Sequence, residues 1–90
     1  MNTIHKYTLA ISGKHQEVKM PRGSTILTVA DKGGNPTIWA QVDTDADVIK
    51  RTFIVVGTGH PLGTDINWNL TYIGTSFGKI LVCHIYEVQT

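Results

Sequence analysis

The sequence predicts one all-β domain over residues 1–90, a small antiparallel barrel or sandwich of six to seven short strands, with a short irregular or single-turn helical segment near residues 64–69. Two observations carry this reading. Apolar side chains recur at every second position in several short runs, the period of a strand with one buried face. Glycine and proline groups then separate those runs, with no helical pattern between them.

The first run, about Thr3 to Ser12, alternates Tyr7, Leu9 and Ile11 with Lys6, Thr8 and Ala10. Gly13-Lys14 reads as a hairpin turn into His15–Met20, which ends at Pro21-Arg22-Gly23 because proline has no N–H for the ladder. Thr25–Ala30 is apolar on both faces and is expected to be a central strand. Lys32-Gly33-Gly34-Asn35-Pro36 is a turn, and Thr37–Asp43 follows with Ile38, Ala40 and Val42 on one face and Trp39 and Gln41 on the other. An acidic loop, Thr44–Ile49, leads to the apolar Arg51–Gly57. Gly57-Thr58-Gly59-His60-Pro61-Leu62-Gly63 interrupts the pattern, and Thr64 or Asp65 can cap a single helical turn. Leu70–Ser76 and Lys79–Val88 form a closing hairpin around Phe77-Gly78.

Composition narrows the function classes. Ninety residues hold one core and bury only about 60–65% of the unfolded surface, so self-association into a homo-oligomer is expected to add stability. Eight Lys and Arg against seven Asp and Glu argue against a general nucleic-acid or membrane-surface binder. The single cysteine, Cys83, lies in an apolar run and reads as a buried core residue, which fits a reducing cytoplasm. No signal peptide and no membrane span is expected.

Asp43-Thr44-Asp45-Ala46-Asp47 resembles the start of a calcium loop, but Val48 and Ile54 stand where that loop needs glycine and glutamate. The four histidines are not spaced for chelation, and Cys83 and His84 point to opposite faces of one strand. No metal, no cofactor and no catalytic set is expected, for the serines and carboxylates form neither a triad nor a pair.

Two features remain as ligand-binding candidates. In Gly57-Thr58-Gly59-His60, glycines flank a hydroxyl residue, so successive backbone N–H groups can form an anion cradle beside an imidazole. The same residues also suit a tight turn or bulge. Trp39, on the more polar face of its strand, reads as a packing residue, an interface anchor or a stacking platform. Trp68 is placed to cover whatever the glycine loop holds, and Arg22 and Arg51 are candidates for charge neutralisation.

The ordered segments Ile4-His5-Lys6-Tyr7-Thr8-Leu9, Pro21–Val29, Ile38-Trp39-Ala40-Gln41-Val42-Asp43, Arg51-Thr52-Phe53, Gly57-Thr58-Gly59-His60-Pro61, Tyr72-Ile73-Gly74-Thr75 and Val82-Cys83-His84-Ile85-Tyr86-Glu87 resemble a family of short uncharacterised phage, prophage and bacterial proteins. The chain departs from that pattern around Gly33-Gly34-Asn35 and between Thr64 and Leu70. The resemblance implies a phage-type setting in the host cytoplasm and action by binding. One expectation is an anti-defence sponge that sequesters a nucleotide-derived signal at Thr58, Gly59, His60, Trp39 or Trp68, Arg22 and Arg51. The alternatives are a module that binds a host protein or the virion, and a nucleotide-processing enzyme with His60 or His84 as base.

Overall fold

A computed structural model describes residues 1–62 and 69–89. Seven strands form two antiparallel sheets: β1 (Asn2–Thr8), β2 (Gln16–Pro21), β3 (Thr25–Lys32), β4 (Asn35–Asp43), β5 (Val48–Gly57), β6 (Asn69–Phe77) and β7 (Val82–Gln89). One sheet has the order β1-β4-β3 and the other β2-β5-β7-β6, giving a sandwich-like arrangement with no helix among the described residues. The irregular or single-turn segment expected near residues 64–69, and Trp68 with it, lies outside the described residues except for Asn69, which opens β6.

Two expectations about neighbours are corrected. Gly13-Lys14 does not close a hairpin: β1 pairs with β4 and β2 with β5, so this connection crosses between sheets. The interior needs apolar side chains from both layers, and a chain that alternates sheets supplies them. Gln16 secures the crossing, its amide exchanging hydrogen bonds of 2.8 and 2.9 Å with the backbone of Ala10. The other correction concerns Thr25–Ala30, which is an edge strand, β4 being central. A bulge between Ile26 and Thr28 turns Leu27 to solvent, while Ile26 and Val29, three residues apart, both pack on the core. The expected hairpins at Gly33-Gly34 and Phe77-Gly78 do form, as β3–β4 and β6–β7.

The interior follows the alternation. Leu9 and Ile38 from one layer meet Met20, Phe53, Val55, Cys83 and Ile85 from the other. β3 and β6 form a seam on one side, where Val29 lies so close to Gly74 that a Cβ there would fall 3.1 Å from its Cγ2. The acidic Asp43–Asp47 loop engages the chain start, with Asp45 2.7 Å and Asp43 3.3 Å from the Met1 ammonium.

At one end the interior closes on Arg51 and Glu87. The guanidinium donates to both carboxylate oxygens at 2.6 and 2.7 Å and to the Ser24 carbonyl at 2.5 Å. Their side chains are only 19% and 10% exposed, so the pairing offsets the cost of removing two charges from water.

Candidate functional site

The run Phe53-Ile54-Val55-Val56 in β5 is apolar at every position, so both faces of that strand need cover. Phe53 and Val55 enter the core, while Ile54 and Val56 face outward and join Val88 in a second buried cluster under Leu70 and Tyr86. This outer face of the four-stranded sheet carries a cleft where hydroxyl and imidazole side chains meet.

The site begins where β5 ends. His60 N–H donates to the Gly57 carbonyl at 3.0 Å, and Gly59 has φ 86° while, among the described residues, no residue other than glycine has positive φ. Those features define a type II turn with glycine at its third position, where a side chain would be strained. Gly57 makes room for side chains: a Cβ there would lie 2.8 Å from His60 Nδ1 and 3.0 Å from Leu81 Cδ1, so one of them would have to shift. Its absence lets the His60 ring fold back over the turn. Val56, Thr58, His60, Leu62, His84 and Tyr86 then line a cleft of about 200 Å³.

A chain of hydrogen bonds crosses this face. Thr58 Oγ1 lies 2.6 Å from His84 Nε2, and His84 Nδ1 lies 3.2 Å from Thr75 Oγ1, which contacts the Tyr72 hydroxyl. Thr58 Oγ1 is also 3.3 Å from the Val82 carbonyl. One direction satisfies every member: Tyr72 O–H donates to Thr75, Thr75 O–H to Nδ1, Nε2–H to Thr58, and Thr58 O–H to Val82. With both ring nitrogens protonated the Thr75 side of the chain reverses, Nδ1–H donating to Thr75 Oγ1 and Thr75 O–H to the Tyr72 oxygen, so His84 still keeps both partners. The site can therefore meet either a polar neutral group or an anion.

The register explains how Tyr72 and Thr75 share a face. They are three residues apart, which in a regular strand sends them to opposite sides. A bulge between Tyr72 and Gly74 absorbs the odd residue, so Tyr72 stands opposite Tyr86 and Thr75 opposite His84. The Tyr72 and Tyr86 rings meet edge to face, with centroids 5.6 Å apart, and Tyr72 remains exposed.

Among the residues singled out from the sequence, Thr58, Gly59 and His60 come together in this cleft. Arg51 is held by Glu87 inside the sandwich, and Arg22 donates to Asp47 at 3.0 to 3.2 Å on the surface. Trp39 is half-buried on the other sheet, opposite Lys6 of β1 and Thr28 of β3. There the neighbouring Lys32 holds the Lys6 ammonium below the usual lysine range. The sequence offers His84 only as a base or metal ligand and gives no role to Tyr72, Thr75 and Tyr86. A single signal pointed toward them: Gly74 inside a strand pattern, a mark of a bulge. No group of three or more metal-ligating side chains is gathered among the described residues.

Fold and site together define a small β-sandwich protein with a hydroxyl–imidazole cleft on one outer face. The chain belongs to the family described as Domain of unknown function (DUF7352), whose model matches residues 1–90. No curated protein and no solved structure matches it. Three segments that carried the sequence resemblance, Gly57–Pro61, Tyr72–Thr75 and Val82–Glu87, meet at the cleft.

Proposed function

We propose that this protein binds and sequesters a small nucleotide-derived ligand without turning it over, in the manner of a phage anti-defence sponge. The observation that carries the proposal is the Tyr72–Thr75–His84–Thr58 hydrogen-bond chain opening into the cleft beside the Gly59 turn. A volume of about 200 Å³ suits one phosphate or ribose, not a whole nucleotide. The base would then lie outside the cleft on the exposed Tyr72 ring, a stacking platform on this face where Trp39, on the other sheet, does not reach.

Isothermal titration against cyclic dinucleotides and cyclic ADP-ribose isomers tests this directly. Binding is expected to weaken at least tenfold in His84→Ala and Thr58→Val, and to persist in Arg22→Ala. Absence of heat with every ligand at tens of micromolar protein would overturn the proposal.

Two observations favour other readings. The 2.6 Å contact between Thr58 Oγ1 and His84 Nε2 suits an enzyme in which His84 acts as base. Turnover of a bound nucleotide, lost in His84→Ala, is its signature. Exposed Ile4 and Leu27 on the sheet that carries Trp39 suit a protein-binding module. A stoichiometric host partner lost on Trp39→Ala would favour that module.

A further inference from the structure

Cys83 and His84 are consecutive in β7, and their side chains enter two different cavities on opposite sides of the sheet. His84 faces the cleft described above. Cys83 forms the floor of a larger groove of about 580 Å³ at the same end of the sandwich, on its interior side. The groove lies between the β3–β4 turn and the β6–β7 turn. Gly33, Gly34 and Gly78 contribute backbone without side chains to its wall. Ile11, Ile80, Leu81 and Cys83 make it apolar. Ile80 is fully exposed at 100% and Ile11 is exposed too, so apolar side chains stand in water at its mouth.

Asp31 is the acidic group in this groove. It is half-buried, and its Oδ2 accepts one long bond, 3.3 Å, from Gly34 N–H. No ion pair joins it to a cation among the described residues, although Lys79 also lines the groove. Its Oδ1 sits over Gly78, where an added Cβ would lie 3.2 Å away. The carboxylate charge reaches the floor: burial first, and Asp31 second, push the Cys83 thiol above its ordinary value. A carboxylate that forms no ion pair among the described residues, beside an apolar slot, is complementary to a molecule with a cationic head and an apolar body.

We infer that the groove between the Gly33-Gly34 and Gly78 turns is a second binding site, separate from the His84 cleft, for a small amphipathic organic cation, with Asp31 taking the ammonium or guanidinium group and Ile11, Ile80 and Leu81 the apolar part. Lys79 competes for Asp31 and sets the threshold that such a ligand must overcome.

The test compares hexylamine, hexanol and hexanoate, which share one apolar body and differ in charge. Amide chemical shifts of Gly33, Gly34 and Gly78, followed in titrations with the intact protein, report occupancy. Protection of Cys83 from alkylation reports it independently. Hexylamine is expected to bind at least fivefold more tightly than hexanol, and hexanoate most weakly. Asp31→Asn should remove the preference for the amine, and Lys79→Ala should strengthen it. The ranking of the three probes on the unaltered protein stands without either variant. Absence of shifts at millimolar probe, or hexanoate binding as tightly as hexylamine, overturns the inference. So does a preference for the amine that survives in a folded Asp31→Asn.

Discussion

The sandwich closes on a bidentate ion pair at one end and on bare glycine backbone at the other. Arg51 and Glu87 fill the first end with polar atoms that satisfy one another and the Ser24 carbonyl, leaving no demand on a ligand. At the second end Gly33, Gly34 and Gly78 border a groove, where Asp31 has no ion pair among the described residues and stands beside apolar walls. The His84 cleft opens at this same end, on the outer face. A charged group within a fold can thus close a structure or open a site, and what separates the cases is whether its partner is built in.

The largest effect is expected where the pair is broken. Glu87→Ala leaves the Arg51 charge buried without a partner and should cost about 3–5 kcal/mol in denaturant unfolding. An Arg51→Met, Glu87→Leu double variant should recover most of that loss, since an apolar pair of similar volume needs no desolvation. A single-variant cost below about 1 kcal/mol, typical of exposed pairs, would place the seal elsewhere.

At the glycine end, Gly78→Ala would set a Cβ 2.7 Å from the Leu81 carbonyl oxygen. Relief requires the β6–β7 turn to move, for about 1–3 kcal/mol in thermal or denaturant unfolding. A variant as stable as the parent would mean that this turn is freer than the ion-pair end.

Cys83 gives a pH-dependent measure of the same groove. Its thiol is raised by burial and by Asp31, so alkylation should be slow at neutral pH and keep accelerating beyond the ordinary thiol range. A raised thiol favours the folded state below the unfolded value, and that contribution is lost as pH rises through the folded one. Alkylation as fast as in urea would mean that the groove floor is open.

The smallest effect belongs to the surface counterpart of the buried pair. Arg22 and Asp47 are 63% and 68% exposed, so Arg22→Ala should leave the unfolding midpoint nearly unchanged at physiological salt. Arg22 holds the Asp47 carboxyl below its usual value. Whatever stability this gives is therefore present above the ordinary aspartate range and fades as pH falls through the lowered one. A large midpoint shift in Arg22→Ala at neutral pH would remove the distinction between the two arginines.

The all-β class and the Gly33-Gly34 and Phe77-Gly78 hairpins were legible because they depend on local rules: alternation with period two, and turns that need particular residues. The opposite facing of Cys83 and His84 followed from the same alternation. Part of the candidate site was legible for a similar reason, since Gly57-Thr58-Gly59-His60 is a local turn that presents its own side chains. Strand order is not local. Whether β1 meets β2 or β4 depends on which layers bury Leu9 and Ile38, and this placed the first connection between sheets and β3 at an edge. The sequence by itself therefore determined the strands and the turn at Thr58. Only the tertiary structure decided their partners: a bulge brings Thr75 and Tyr72 to His84, Glu87 claims Arg51, and two glycine turns far apart in the chain enclose the groove around Asp31. Each of these depends on distance between segments, which a period along the chain does not encode.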